Sequence, residues 1–346
     1  MNTSPDEIRL ALPSKGTLEA STMEFLEACG LRVDRNNPRQ YTATMPAAPG
    51  LVVLYQRATD IVEKVREGSV AMGITGYDIV AELSEEGDSI IMLHPDLGYG
   101  RCDLAVAVPD SWIDVISIDD LADVALLMRE KGKTLRVATK FVNLTRDFLQ
   151  SKGISHYSIV QAEGAIEASP SIGYADVIVD LVASGMTLRD NRLKRIIGGT
   201  ILKSQACLIG NRRVLRQNPA ALSAAQVILE FIDGYLMARR YCSVFANIYA
   251  SSAEEAARRV LAQPDVRGLK GPTIAEVHTA SLSGQRCFAV HVTIEESKLY
   301  QAVQQLRQAG CVSLTVLPVN YVFQETSPSY QQLLGRLRRT AEAETE

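Results

Sequence analysis

The chain has few of the residues that build metal and redox centres. Its four histidines and six cysteines are scattered, and no two cysteines form a CxxC pair. A zinc site is therefore not expected. Cys29, Cys102, Cys207, Cys242, Cys287 and Cys311 are expected to be reduced, mostly buried thiols of a cytoplasmic protein. There is no GxxxxGK loop and no GxGxxG segment after a strand, which removes support for a Walker-type nucleotide hydrolase or a dinucleotide enzyme. No apolar run approaches the roughly 18 residues of a membrane span. The opening Met1-Asn-Thr-Ser-Pro-Asp-Glu7 is polar and acidic, unlike a secretory signal or an Arg-rich transit peptide. Charge excess is lacking too. A formal net charge of -4 gives no overall attraction to nucleic acid or anionic membrane, while leaving room for a locally basic pocket.

What is present is the balance of a globular protein, 47% apolar and 22% charged, in 346 residues that suit two or three domains. Ile8-Arg-Leu-Ala-Leu12 reads as a strand. Leu18, Thr22, Phe25, Leu26 and Cys29 then mark one face of a helix that stops at Gly30. Leu51 to Tyr55 is a strand, followed by a helix capped by Thr59 or Asp60 and ended by Gly68. Val70 to Ile74 is the next strand. This βαβ rhythm predicts a largely parallel sheet. It continues through strands at 103–108, 135–138, 177–179 and 206–209, which fit two adjacent α/β lobes better than one large sheet. A long amphipathic helix follows, with Leu222, Val227, Ile228, Phe231, Ile232, Tyr235 and Leu236 on its apolar side.

After Arg240 the grammar changes. A strand from Cys242 to Tyr249 leads to a helix opened by a Ser252/Glu255 capping box. Strands at 273–278 and 287–292, joined by a turn at Ser281 to Gly284, precede a helix from about Lys298 to Ala309 and a strand at 312–317. The order βαββαβ is ferredoxin-like. Residues from Thr326 onward are expected to form a polar, frayed tail.

The most informative segment is Glu163 to Leu188. A buried strand, Val177 to Val179, ends in Asp180, and the turn Leu-Val-Ala-Ser-Gly-Met-Thr-Leu188 follows. Such a turn can aim backbone N–H groups and two hydroxyls at a phosphate, helped by a helix dipole. Asp176 and Asp180 would then meet ribose hydroxyls or a magnesium-bound sugar phosphate. An N-capped turn that holds no ligand fits the same spacing.

The run Glu167, Gly173, Ala175, Ile178, Asp180, Leu181, Ser184, Gly185, Thr187 and Leu188 resembles the signature of ATP phosphoribosyltransferases. The resemblance covers nearly the whole chain. It takes in Leu12-Pro-Ser-Lys-Gly16, Gln56-Arg57-Ala-Thr-Asp60, Gly73-Ile-Thr-Gly76-Tyr-Asp78 and, for the long form, Gly271-Pro-Thr-Ile274. The extension through Tyr321, Phe323 and Ser327 to Leu334 is similar to the plant-like branch. Thr17 departs from the pattern, since many members have Arg there, which puts that arginine's substrate contact in doubt.

The resemblance implies an α/β fold of two periplasmic-binding-protein-like lobes plus an ACT-like ferredoxin domain. Lobe I would span 1–100 and 206–240, lobe II 101–205, a regulatory domain 241–325 and the tail 326–346. It implies transfer of phosphoribosyl from phosphoribosyl pyrophosphate to N1 of ATP, the first step of histidine biosynthesis, with Mg2+ as cofactor. Ala183, Ser184, Gly185, Met186, Thr187 and Leu188 are assigned to the 5′-phosphate, and Asp176 and Asp180 to the ribose side; Glu163 and Glu167 would contact a ribose hydroxyl or metal, or equally cap a helix. Lys15, Arg39 and Arg57 are assigned to polyphosphate, and Gly16, Asp78 and Arg101 to ATP. Arg101 could equally pair with Asp103. Histidine is expected as an inhibitor near Gly271, Pro272 and Thr273 of a homo-oligomer, dimer to hexamer. A two-lobe small-molecule sensor and a catalytically silent regulatory paralogue are the competing readings. No nucleic acid or membrane partner is expected.

Overall fold

A computed structural model describes residues 7–35, 37, 40–83, 89–162, 164–278 and 286–343. The chain divides into two compact units, Met1–Ala225 with Leu333–Glu346, and Gln226–Gln332.

The first unit holds two sheets. The first is entered through β1 (Ile8–Pro13), α1 (Gly16–Ala28), β2 (Thr42–Thr44), β3 (Leu51–Gln56), α2 (Ala58–Glu67), β4 (Met72–Gly76), α3 (Tyr77–Leu83) and β5 (Ile90–His94). The chain then leaves to build the second sheet. That sheet uses β6 (Cys102–Pro109), α4 (Ile118–Glu130), β7 (Leu135–Thr139), α5 (Val142–Ser151), β8 (Tyr157–Gln161), β9 (Val177–Val182), α6 (Met186–Asp190) and the long β10 (Leu193–Ser204). It returns at β11 (Ala206–Asn211) and continues into α7 (Arg212–Gln217) and α8 (Pro219–Ala238).

The first sheet has strand order β2-β3-β1-β4-β11-β5, and the second β10-β6-β9-β7-β8. β1 pairs parallel with β3 and β4, and β7 pairs parallel with β8 and β9. Central strands are buried on both faces, which is why β4 is buried at each of its five positions rather than alternating. On α2, Ile61, Val62 and Val65 make the buried stripe, and Gly68 closes the helix at φ 81°. A Cβ on Gly73 would lie 2.5 Å from Ile61 Cγ2, so glycine lets α2 approach β4 closely. The helix begins at Ala58 with Arg57 as N-cap, so Thr59 and Asp60 stand in its first turn instead of capping it.

The second unit contains β12 (Tyr241–Tyr249), α9 (Ala253–Leu261), β13 (Thr273–Val277), β14 (Cys287–Glu295), α10 (Leu299–Gln308) and β15 (Cys311–Pro318). The sheet order β13-β14-β12-β15, with antiparallel pairs, is the ferredoxin-like arrangement. Cys242, Val244, Ala246 and Ile248 alternate into its core. Ser252 Oγ accepts from Glu255 N at 3.3 Å while the Glu255 carboxylate accepts from Ser251 N at 2.9 Å, closing the helix entry. The turn expected at 281–284 lies outside the described residues.

Two features differ from the sequence reading. The division between units falls within α8, whereas the change of strand grammar puts it near residue 240. Residues 328–343 are not a frayed tail: they form α11 (Pro328–Ala343), with Leu333 and Leu337 buried. Polar composition concealed two leucines four apart on one helical face. By length and composition α8 could cross a membrane, but Ile228, Leu229 and Ile232 on it are fully buried in protein and Glu230 and Asp233 interrupt it.

Candidate active site

In the first lobe the site is built at the C-terminal ends of the parallel strands. Ser14 N donates to Gln56 O at 2.8 Å, tying the ends of β1 and β3 together. Each strand end then turns into a helix whose N-cap is a cation. Lys15 caps α1 and Arg57 caps α2, both in extended conformation and neither using its side chain to cap. Both side chains are exposed. Two helix N-termini and two cations side by side make an electropositive rim. Gly16 adopts φ 78° with open space around it, beside Thr17, which faces the cleft.

Asp78, in the first turn of α3, is buried. Ser204 Oγ donates to its Oδ1 at 2.6 Å and its own N–H donates to Ser204 Oγ at 2.9 Å. It borders the cleft but is already engaged. Arg101 pairs with Asp96 at 3.0 Å, not with Asp103, which is held by Arg195 at 2.7 Å.

The second lobe supplies the opposite wall. β9 runs on to Val182, so Asp180 sits inside the strand rather than at its end. The turn after it reaches Gly185 at φ 73°, a left-handed conformation suited to glycine, and α6 begins. The first N–H groups of α6 have no intrahelical acceptor. A cavity of about 300 Å³ is lined by Glu167, Asp180, Ala183, Ser184, Gly185, Thr187 and Leu188. Leu188 lines it while packing into the core, and Met186 does not line it. Glu167 stands on a short 3-10 turn entered through Ala165 at φ 50°, a strained conformation for a residue with a Cβ. Burial pushes the Asp180 carboxyl up. The Leu181 N–H and the charge of Lys140 oppose this, and the charge of Glu167 adds to it.

Asp176 is not brought to this cavity. It precedes β9, about 13 Å from Asp180 at roughly 3.3 Å per residue. Its carboxylate accepts from Arg136 Nη2 at 2.8 Å, Nε at 3.2 Å and backbone N at 2.8 Å. Burial pushes its pKa up, but the hydrogen bonds and charge of Arg136 outweigh that and hold it low. One strand length separates the two aspartates, so they cannot share one ribose.

Between the lobes lies a cavity of about 550 Å³, with Thr17 and Asp78 on one side and Lys140, Leu181 and Ala183 on the other. A neighbouring one of about 580 Å³ is lined by Arg57, Thr59, Lys140 and Gln161 among others. Lys140 was not singled out from the sequence, and Thr59 only as a candidate helix cap. The signal for Lys140 was available, because it directly follows β7 as Lys15 and Arg57 follow or adjoin β1 and β3. Arg39 and Glu163 lie outside the described residues. Gly271, at φ 91°, Pro272 and Thr273 lie in the second unit at the head of edge strand β13. All six cysteines are free, and only Cys102 is not buried. Among the described residues no cluster of three or more His, Cys, Asp or Glu could hold a metal.

Comparison with known proteins bears on this arrangement directly. Residues 57–233 match the family model HisG, ATP phosphoribosyltransferase, and residues 238–321 match HisG, C-terminal domain. The chain is 41% identical over 337 residues to the chloroplastic ATP phosphoribosyltransferase 2 of Arabidopsis thaliana, covering 96% of this chain and 81% of that one. It is 35% identical to the ATP phosphoribosyltransferase of Bradyrhizobium diazoefficiens, over 95% and 98% of the two chains. A solved ATP phosphoribosyl transferase (HisG:HisZ) complex from Thermotoga maritima shares the fold, with TM-score 0.50 and 24% identity over 65% of this chain and 98% of that one. With both of its units matched in this way, the chain belongs to the ATP phosphoribosyltransferase family.

Proposed function

We propose that the cleft joins N1 of the adenine of ATP to C1 of phosphoribosyl pyrophosphate, giving phosphoribosyl-ATP and pyrophosphate, the first step of histidine biosynthesis. The observation that carries this reading is the cavity in which the Asp180 and Glu167 carboxylates adjoin the 183–188 turn. A bare anion would be repelled there, whereas a sugar phosphate presents hydroxyls to the carboxylates and oxygens to the turn. The amides and hydroxyls of Ser184 to Thr187 take the 5′-phosphate, and Asp180 and Glu167 accept from the ribose hydroxyls. Lys15 and Arg57, on the facing rim, meet polyphosphate.

In the reaction, the adenine N1 lone pair forms the bond to C1 as the C1–O bond breaks and its electrons leave with pyrophosphate. Positive charge grows on the ribose and negative charge on the leaving group. The residues act by holding both substrates in line and by stabilising charge. The cavity fits Mg2+ arriving with the substrate: Asp180 is held up partly by the Glu167 charge, and a divalent cation would relieve that repulsion. Asp180 and Glu167 would be its protein ligands, and the ion would neutralise pyrophosphate charge.

Two further parts of the proposal concern the second unit. Its βαββαβ domain binds histidine near Gly271, Pro272 and Thr273 as a feedback inhibitor, and it assembles a homo-oligomer, dimer to hexamer. Phe245, Tyr249 and Leu317 support assembly, since they leave apolar surface exposed on its strands. The enzyme works in the cytoplasm, where free thiols persist. A sensor or a silent paralogue would need no intact carboxylate and phosphate-turn pair. The test is ultraviolet detection of phosphoribosyl-ATP from ATP, phosphoribosyl pyrophosphate and Mg2+. Absence of turnover by the full chain would sink the reading, and calorimetry without heat at millimolar histidine would sink the inhibitor site.

A further inference from the structure

Lys140 directly follows β7, which runs parallel to β9 with Ala138 opposite Ile178. β7 ends at Thr139, and the bend that follows carries Lys140 toward Asp180, close enough for its charge to act on that carboxyl. The ammonium does not close onto that carboxylate. Among the described residues Lys140 makes no ion pair within 4.0 Å, and its Nζ lies 4.8 Å from the centroid of the Phe141 ring. It is exposed and lines both cavities between the lobes.

The turn that carries it is held on both sides. Phe141 N donates to Thr139 Oγ1 at 3.0 Å, and the next helix, α5, is anchored where Asn143 N and Leu144 N donate to the Glu82 carboxylate. A cation presented on a rigid turn, resting on an aromatic face and, among the described residues, not closed into an ion pair within 4.0 Å, is built to receive an anion.

Which anion follows from its neighbours, given the functional reading above. The 183–188 turn and the Asp180 and Glu167 carboxylates take up the 5′-phosphate and the ribose. The diphosphate on C1 then extends past those carboxylates, and past the metal ion they would hold, toward the space where Lys140 and Arg57 line one cavity from opposite lobes. The geometry points to Lys140 as a second-lobe catalytic residue that holds the leaving pyrophosphate. As the C1–O bond breaks, the electron pair stays on the pyrophosphate oxygen and the ammonium stabilises it, with no proton transferred.

The test uses the full chain with Mg2+. Lys140→Met and Lys140→Gln should lower kcat roughly 100-fold, the usual scale for losing one charge stabiliser. Inhibition by added pyrophosphate, and its calorimetric binding, should weaken alongside. The KM for ATP and the melting temperature should stay near wild type, because the side chain is exposed. Unchanged kcat and unchanged pyrophosphate inhibition in both variants, with the wild type active, would overturn this assignment alone. A loss confined to the KM for ATP would also overturn it, moving Lys140 to the other substrate. A wild-type chain without turnover would instead remove the functional reading on which the assignment rests.

Discussion

Glu82 of one lobe caps a helix of the other: Asn143 N, at the start of α5, donates to its Oε1 at 2.8 Å. Leu144 N donates to Oε2 at 3.0 Å, and Asn143 Nδ2 returns a bond to the Glu82 carbonyl at 3.2 Å. Asp78, four residues earlier on the same face of α3, is tied to Ser204 of β10. One short helix therefore pins the second lobe at two points through buried carboxylates. Glu82→Ala leaves two N–H groups without an acceptor and should cost about 1–3 kcal/mol. Glu82→Gln keeps one acceptor and should cost less. Urea unfolding monitored by circular dichroism ranks the two, and equal midpoints for both variants and wild type would show that the clasp contributes nothing.

On the proposed reading, Asp180 serves activity at the expense of stability. Its folded pKa is raised above the ordinary carboxylate value, mainly by burial. Between the unfolded value of about 3.9 and the folded value the native state holds the extra proton, so stability falls as pH rises through that window. Asp180→Asn removes the cost of the buried charge. The variant should melt higher than wild type at pH 7 and no higher below about pH 3.9, while kcat/KM for phosphoribosyl pyrophosphate falls roughly 100-fold. In the wild type the acid limb of that pH profile should be displaced upward from the ordinary aspartate value. A variant that is active, or that melts lower at neutral pH, contradicts this placement.

Asp176 has the opposite sign. Arg136 holds its folded pKa low, so its contribution is fully present above the unfolded value of about 3.9 and disappears as pH falls through the folded one. Arg136 is part-exposed, which screens the pair, so Asp176→Ala should cost only about 1 kcal/mol at neutral pH. Turnover should be nearly unaffected, because the residue lines none of the cavities described between or within the lobes. Thermal melts at pH 7 and pH 3, with kinetics at pH 7, separate this from a ribose contact, for which kcat/KM would collapse.

The contrast between the two aspartates shows where a sequence stops being readable. Local patterns carried far: the apolar period of two or 3.6 residues marked β1, α2 and the βαββαβ order, and the small, hydroxylated turn at 183–188 proved to line a cavity. Pairings between distant residues left no such trace. Arg136 and Asp176 are 40 residues apart, and Glu82 and Asn143 are 61 apart, so neither partnership has a spacing to detect. Lys140 could have been found by its place at a strand end, a rule applied to Lys15 and Arg57 but not to β7. The Asp180 environment depends on burial, which no run of letters reports.

The C-terminal helix was missed for a related reason, and its start yields the last prediction. Ser327 Oγ donates to Asp233 Oδ2 at 2.5 Å, and Ser329 donates to the same carboxylate through its N–H at 3.0 Å and its hydroxyl at 2.7 Å. Ser327 Oγ also accepts from Tyr330 N at 3.1 Å, so a serine cap and an aspartate on α8 act together at the entry of α11. Just before that entry, Phe323 packs edge-on against Phe231 at 6.0 Å and lies over Gly234, where a Cβ would come within 2.9 Å of its ring. The entry is thus fixed twice, by ring packing and by the carboxylate. Asp233→Ala removes only the second and should cost about 0.5–2 kcal/mol, the range for losing a helix cap. The loss should be local: amide exchange should accelerate at 329–331 while β12 and β14 keep their protection. Gly234→Ala acts on the ring instead and should displace Phe323. If exchange at 329–331 were unchanged in Asp233→Ala, the carboxylate would be a bystander and the aromatic contact alone would hold the helix in place.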